Sequence, residues 1–207
     1  MSVIEQLASV QGRRDEQPNI DLAIQLAAEQ DTQGLEQIVD ALWSKDKKVR
    51  NDCVKVLYEV GYRQPKLVSS YAEDFVELLK ERNNRLVWGG MIALSTVADL
   101  EPDVVHTHLA LIQRTFEAGS VITRDAGVRV MAKTAAHSEP YNREVFPYLL
   151  EHLRTCRPKD VPQHAESALV AVNPQNAADF LQVLAGRKAH LNATQLKRIE
   201  KLEKQIA

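Results

Sequence analysis

Apolar residues recur along the chain at the spacing of one helix face, in segments that begin near prolines. The prolines concerned are Pro65, Pro102, Pro140 and Pro174, which stand 37, 38 and 34 residues apart. The apolar stripes are Val68, Tyr71, Phe75, Leu78 and Leu79; then Val105, Leu109, Ile112 and Phe116; then Phe146, Leu149, Leu150 and Leu153. Their i, i+3, i+4, i+7 spacing predicts amphipathic helices, and proline suits a first helical turn. Sustained two-residue alternation and hairpin dipeptides are absent, so we predict an all-α chain.

A second set of helical segments alternates with the first and repeats itself. Sliding the sequence by 37 residues aligns Val49, Cys53, Leu57 and Val60 with Leu86, Gly90, Leu94 and Val97, and then with Thr123, Gly127, Met131 and Thr134. The central position is small each time, being Cys53, Gly90 or Gly127. Because glycine inside a helix costs about 1 kcal/mol relative to alanine, its recurrence predicts that neighbouring helices approach closely here.

Helix pairs with a period of 35–40 residues are typical of solenoids, in which each pair buries its apolar face against the next. We expect one domain over residues 1–207, with a frayed or helical leader over 1–17 and a helix at 19–30. The predicted pairs are 32–61, 65–98, 102–136, 141–172 and 174–206. The last helix, 192–206, begins with a capping box formed by Asn192 and Gln195 and should close the array.

One repeated phrase carries a family resemblance. The segment from Asp46 through Val49 and Arg50 to Gly61 resembles the second helix of a HEAT repeat, and SVITRDAGVRVMAKTA is similar to it, with Arg124 in the arginine place. Val87 stands in that place in the intervening repeat, which predicts a broken Asp/Arg ladder there. The resemblance covers roughly residues 32–190. It implies a short right-handed α-α superhelix, a HEAT-like solenoid of about five helix pairs, with its binding surface on the concave side.

Charge and hydropathy narrow the range of partners. The chain of 207 residues has a formal net charge of −2, with both signs interspersed. Extensive phosphate contact usually requires a basic excess, so nucleic acid is an unlikely partner. We expect no membrane association and a cytoplasmic location, because no apolar stretch approaches the ~18–20 residues that span a bilayer.

Candidate chemistry is sparse. Cys53 lies on an apolar stripe and is predicted to be a small core residue rather than a nucleophile. The six histidines are spread through the sequence without a cysteine or carboxylate at ligand spacing, so no metal site is expected. Phosphate-binding, dinucleotide-binding and nucleophile-elbow motifs are also absent. The expectation is therefore a protein that is not an enzyme and that uses no metal or small-molecule cofactor.

The second helices of a HEAT-like array line its concave face, so their non-core positions are the candidate partner-binding residues: Asn51, Lys55, Trp88, Ile92, Asp125 and Arg129. An aromatic residue flanked by charges is typical of sites that concentrate binding energy. Trp88 either stands partly exposed on this face or packs into the core. Trp43, which follows Leu42, is expected either to lie in the core or to pack at the end of its helix.

Three functions are consistent with this pattern. The leading hypothesis is a non-catalytic scaffold that binds a peptide or protein surface on its concave face. The alternative is a DNA-binding or repair protein resembling the HEAT-like alkylpurine DNA glycosylases, with Trp88, Asp125 and Arg129 imitating their aromatic and acidic residues. The net charge and the single concave tryptophan count against that alternative. A lyase or chaperone subunit resembling those that attach bilins has only the repeat type in its favour.

Overall fold

The computed structural model describes residues 2–206, which contain twelve α-helices and no strand. The helices are α1 Gln17–Glu29, α2 Thr32–Ala41, α3 Lys47–Arg63, α4 Ala72–Leu78, α5 Asn84–Val97, α6 Pro102–Thr107, α7 Leu109–Ala118, α8 Val121–His137, α9 Glu139–Thr155, α10 Val161–Ala168, α11 Ala177–Arg187 and α12 Ala193–Ile206. Short 3-10 helices lie at Val3–Gln6, Pro65–Leu67, Ser69–Tyr71, Leu169–Ala171 and Lys188–His190. The all-α prediction is confirmed. The described chain forms two compact units, residues 2–127 and 128–206.

The first unit is built in two layers. In one layer α3 packs between α1 and α5, and in the other α2 packs on α3 while α4 packs on α5. These contacts reproduce two of the predicted helix pairs, 32–61 and 65–98. The apolar stripes supply the core, whose fully buried side chains include Leu22, Leu26, Leu35, Ile38, Leu57, Phe75, Leu78, Leu86 and Ile112.

The predicted first helices of two pairs are interrupted. Residues 65–71 form two short 3-10 helices before α4, and the helix expected after Pro102 is divided into α6 and α7. At the division, the backbone N–H of His108 is shared between the carbonyls of Val104 and Val105, each 3.2 Å away. The hydrogen-bond register changes at this one residue. The stripe of Val105, Leu109, Ile112 and Phe116 is nevertheless buried.

Small residues bring neighbouring helices of the first unit together, as the repeat predicts. A Cβ atom added at Gly90 would lie 2.8 Å from Leu78 Cβ and 2.9 Å from the backbone oxygen of Phe75. One added at Gly127 would lie 2.8 Å from the Phe116 ring. Both distances are too short for a real Cβ atom, so the glycines permit a helix separation that alanine would prevent.

Arginine side chains cap the C-terminal ends of α2 and α7. Arg50 Nε donates to the Leu42 carbonyl oxygen at 2.6 Å, and its Nη2 pairs with Glu81 at 2.7 Å. Arg124 donates to the backbone oxygens of Phe116 and Glu117 at the end of α7. Cations at helix C-termini satisfy free carbonyls and match the helix dipole. Val87 occupies this place in α5 and cannot donate, so the arginine pattern is interrupted there, as predicted.

In the second unit α9 packs on α10 and α11, and α12 packs on the same two helices. Its core includes Phe146 and Phe180, whose ring centroids are 6.1 Å apart. The capping box of α12 is confirmed: Asn192 N donates to Gln195 Oε1 at 2.8 Å, and Gln195 N donates to Asn192 Oδ1 at 3.0 Å. Among residues 2–206, no helix has the length and apolar character to cross a membrane.

The close approach at Gly90 generates a test. Gly90→Ala should lower the free energy of unfolding by about 1–3 kcal/mol, because the added methyl group meets backbone and a Cβ atom that cannot easily move. The change is expected despite the ~1 kcal/mol gain in helix propensity. The measurement is urea unfolding followed by circular dichroism.

Gly186→Ala is the matched control. Gly186 also lies in a helix, but nothing is within 4 Å of an added Cβ atom. This substitution should be neutral or should stabilise the protein by up to about 1 kcal/mol. If Gly90→Ala stabilises as Gly186→Ala does, the packing argument is wrong.

Candidate functional site

One surface of the first unit combines aromatic rings with charged side chains. Asn51, Lys55, Tyr58 and Tyr62 follow one another along α3 at helical spacing, and Arg85 and Trp88 lie one turn apart on the neighbouring α5. We call these six side chains the α3–α5 face. Because α3 and α5 pack directly against each other, both stripes contribute to a single surface.

Tyr58 is the centre of the aromatic part of this face. Its ring centroid lies 6.2 Å from that of Trp88 and 6.1 Å from that of Tyr62, the latter in an edge-on arrangement. Tyr58 is buried, Trp88 is partly exposed and Tyr62 is 56% exposed. The buried ring therefore supports two rings that remain accessible to a partner.

Two cations lie over these rings. The guanidinium carbon of Arg85 is 5.5 Å from the Trp88 ring centroid, and Lys55 Nζ is 4.8 Å from that of Tyr58. Both distances are within the range in which a cation is attracted to an aromatic face. The stacking holds two flexible side chains against the surface and leaves their charge beside the exposed rings.

Acidic side chains balance these cations. Glu16, immediately before α1, pairs with Arg85 and lies 3.5 Å from Lys55 Nζ. On α3, Glu59 pairs with Lys55 at 2.7 Å and with Arg63 at 2.6 Å. Burial alone would raise the pKa of Glu59, but hydrogen bonds from Lys55 and Arg63 outweigh it and hold the pKa below the ordinary value. The ion pairs on the face are therefore already formed at neutral pH.

A polar cleft of about 480 Å³ adjoins the face. It is bounded by the segment before α1 and by α3 and α5; its walls include Ser9, Arg13, Glu16, Lys48, Asn51 and Arg85. Ser9 Oγ and Arg85 Nε are buried and have no hydrogen-bond partner among the described residues. Buried polar atoms are normally satisfied by protein, water or ligand, and both of these residues line the cleft.

A buried carboxylate positions the segment that forms one wall of the cleft. Asp52 on α3 accepts hydrogen bonds from Ser9 N at 2.7 Å and from Asn19 Nδ2 at 2.8 Å. Asn19 Oδ1 in turn accepts from Ala8 N at 2.9 Å. Leu7 is fully buried, and Gly12 turns the chain back with a positive φ of 71°. Residues 7–9 of the expected leader are thus packed into the first unit, whereas residues 10–12 are exposed.

The six predicted site residues differ in their exposure and in whether they lie close together. Asn51, Lys55 and Trp88 lie together, with Asn51 Oδ1 accepting from Asn83 Nδ2 at 2.9 Å. Lys55 and Ile92 are each only 8% exposed and offer little surface to a partner. Asp125 and Arg129 are partly exposed on α8.

Sequence reasoning missed Tyr58, Tyr62, Arg85 and Glu16. The two tyrosines continue the stripe of Asn51 and Lys55 and could have been found from helical spacing alone. Glu16 could not, because its position depends on how the leader folds.

Trp43 lies outside the core and packs at the end of α2, which is one of the two arrangements expected for it. Trp43 is 45% exposed, and the guanidinium of Arg50 lies 5.8 Å from its ring centroid. The preceding residue, Leu42, is fully buried at the end of α2. Adjacent residues at a helix end point in different directions, so Leu42 takes the core position and Trp43 faces outward.

The two cysteines differ in their surroundings. Cys53 is fully buried in α3, which confirms its prediction as a core residue, and burial raises the pKa of its thiol to about 12. Cys156 is partly exposed, and burial raises its pKa to about 11. Neither thiol is activated as a nucleophile in this state.

The expectation that no cysteine accompanies the histidines is wrong in one place. His152 Nε2 and His164 Nδ1 are 2.9 Å apart, and Cys156 joins them in a cluster within the second unit.

Comparison with known proteins identifies the fold but gives no family by sequence. No family model and no curated protein sequence matches the chain. An engineered protein superposes with a TM-score of 0.67 at 16% identity, over 100% of this chain and 97% of its own. A designed armadillo repeat protein in complex with the peptide (KR)4 also gives a TM-score of 0.67, at 13% identity, over 99% of this chain and 98% of its own.

A natural protein is similar over part of its length. Kap121p bound to Pho4p superposes with a TM-score of 0.65 at 12% identity, over 97% of this chain but 22% of Kap121p. These likenesses establish the fold class. The chain has the helical-repeat solenoid fold of the HEAT and armadillo type, as the repeat predicts.

Asp52 provides a test of how the cleft wall is held. Asp52→Asn should lower the free energy of unfolding by about 1–3 kcal/mol, because the new amide NH₂ faces one of two N–H donors and leaves it unsatisfied. Amides of residues 8 and 9 should lose hydrogen-exchange protection at the same time. Urea unfolding and exchange followed by mass spectrometry measure the two effects.

Asp21→Asn is the control, because Asp21 is exposed and accepts a hydrogen bond from Gln17 on its own helix. It should change stability by less than about 0.5 kcal/mol. Unchanged protection of residues 8 and 9 in Asp52→Asn would show that Asp52 does not hold the leader.

Proposed function

We propose that this protein is a non-catalytic binding scaffold that holds a peptide or protein surface on the α3–α5 face. The observation that carries the proposal is the accessible pair of rings, Trp88 and Tyr62, supported by buried Tyr58 and placed beside a polar cleft. Accessible aromatic residues surrounded by polar groups are the usual centres of protein-binding energy. The structural neighbours support this function in general terms, since two of them are in complex with a peptide or a protein.

The charges of this region indicate which kind of partner would fit. The cleft is lined by four basic residues, Arg13, Arg14, Lys48 and Arg85, and by three acidic residues, Asp15, Glu16 and Asp52. Asp52 already accepts two hydrogen bonds, from Ser9 and Asn19. The two unpartnered atoms, Arg85 Nε and Ser9 Oγ, can both donate a hydrogen bond. The cleft therefore favours an acceptor, such as a carboxylate or a backbone carbonyl, next to an apolar side chain that packs on Trp88.

Substitution of Trp88 tests this function. Peptides selected from a random display library on the immobilised parent protein should bind Trp88→Ala at least about 30-fold more weakly, which corresponds to a loss of ~2 kcal/mol at a binding hot spot. Tyr62→Ala should also weaken binding, and its high exposure makes it safe for folding. Fluorescence anisotropy of a labelled selected peptide gives the dissociation constants.

Trp43→Ala is the matched control, because Trp43 is an exposed tryptophan of the same unit outside the α3–α5 face. Its affinity should stay within about twofold, as expected for a residue away from the interface. Urea unfolding of Trp88→Ala distinguishes lost contact from lost structure: a cost above about 3 kcal/mol would place Trp88 in the core. Equal peptide affinities of the Trp88→Ala, Tyr62→Ala and Trp43→Ala variants would reject the α3–α5 face as the site, and tight, salt-dependent retention of duplex DNA would favour the nucleic-acid alternative.

A further inference from the structure

Three side chains with metal-binding atoms meet in the second unit. His152 lies in the last turn of α9, Cys156 follows four residues later at its C-cap, and His164 lies on α10. One ring nitrogen of each histidine and Cys156 Sγ all lie within 4.8 Å of one another, and His152 Nε2 is 2.9 Å from His164 Nδ1. The spacing of four residues puts the first two on one helix face, and packing of α10 on α9 supplies the third.

We propose that His152, Cys156 and His164 form a binding site for one zinc-type divalent cation. In tetrahedral zinc sites the metal lies ~2.0–2.1 Å from nitrogen and ~2.3 Å from sulfur, so neighbouring ligand atoms are about 3.3–3.6 Å apart. The two nitrogens would have to separate by about 0.4 Å, and the sulfur would have to move inward by up to about 1.2 Å. Side-chain rotations of this size require no rearrangement of α9 or α10.

The donor set selects the class of cation. Two imidazoles and a thiolate suit borderline-soft ions such as Zn²⁺ and Co²⁺, whereas Mg²⁺ and Ca²⁺ require oxygen ligands. Three protein ligands leave the fourth tetrahedral position to water or to a ligand from outside. Thiolate binding displaces the Cys156 proton to solvent, and both imidazoles bind as neutral rings.

The partial burial of the three ligands and their place at the C-terminus of α9 both favour a cation that is firmly bound and can still enter from solvent. His164 is 1% exposed, while His152 and Cys156 are partly exposed, so the ion could enter from one side and be shielded on the other. The C-terminus of α9 carries the negative end of the helix dipole, which favours a cation. Arg187 is already there and donates to the carbonyl oxygens of Arg154 and Cys156.

The charged groups near Cys156 include both signs. Arg187 and Arg157 lower the pKa of the thiol and Asp160 raises it. Asp160 pairs with Arg157 at 2.7 Å, so these two largely cancel. Arg187 is a positive charge near the site and would repel a bound cation. Its hydrogen bonds to the backbone carbonyls of Arg154 and Cys156, however, fix the turn that positions His152 and Cys156.

The test uses the full chain, expressed without a histidine tag and freed of metal by a chelator. Titration with Zn²⁺ in a calorimeter should show one ion per chain. His152→Ala and Cys156→Ala should each weaken Zn²⁺ binding by at least about 100-fold. Losing a metal ligand lowers the affinity at least as much as losing a residue that only hydrogen-bonds to a ligand, which costs up to about 100-fold. Because both residues are partly exposed, the variants should fold, and far-UV circular dichroism checks this.

His190→Ala is the control, because His190 is an exposed histidine of the same unit outside the cluster. It should bind Zn²⁺ within about twofold of the parent, since it supplies none of the three ligands. Co²⁺ should give a near-ultraviolet thiolate charge-transfer band in the parent and in His190→Ala but not in Cys156→Ala. The proposal is overturned if the parent does not bind Zn²⁺ saturably, if either ligand variant keeps the parent's affinity, or if Co²⁺ gives no thiolate band.

Discussion

The separation between α3 and α5 is the constraint on which the candidate site depends. A Cβ atom at Gly89 would meet the Val54 side chain at 2.8 Å, and Gly90 allows α5 to approach Phe75 and Leu78 of α4 at similar distances. A larger residue at either position would move α5 outward. The Tyr58 and Trp88 rings would then lose contact, and Arg85 would move away from Glu16. The glycines of the core therefore determine the geometry of the surface.

The candidate site also depends on the leader, the segment that precedes α1. The Asp52 side chain is 8% exposed, and a buried carboxyl group is stable only when hydrogen-bond donors surround it. One of its two donors, Ser9 N, belongs to the leader, so the burial of Asp52 depends on the leader being in place. The same leader ends at Glu16, which neutralises Lys55 and Arg85 on the α3–α5 face. Part of the electrostatics of the site is thus supplied from outside the repeated helices.

Helical periodicity predicted most of the core and half of the face, because it determines which side of a helix is apolar. It does not determine which neighbour covers a given turn. Lys55 and Ile92 occupy equivalent repeat positions that are predicted to face a partner, but neighbouring side chains leave each only 8% exposed, and Trp43 is exposed because α2 ends just before it. His152 and His164 are separated by the loop between α9 and α10, so only the packing of those helices brings them to 2.9 Å.

On the α3–α5 face, the aromatic rings and the paired charges would contribute differently to binding: the rings to affinity and the charges to selectivity. The pair of Lys55 with Glu59 is largely buried, so a partner that separated these two side chains would leave a buried charge unpaired and would gain little. Burying apolar surface contributes ~25 cal/mol per Å² removed from water. On the α3–α5 face, the apolar surface that a partner can still bury lies on Trp88 and Tyr62. Binding energy would therefore come from the rings. The charges around them, together with the unsatisfied donors of Ser9 and Arg85, would decide which partner can approach without leaving a buried charge unpaired.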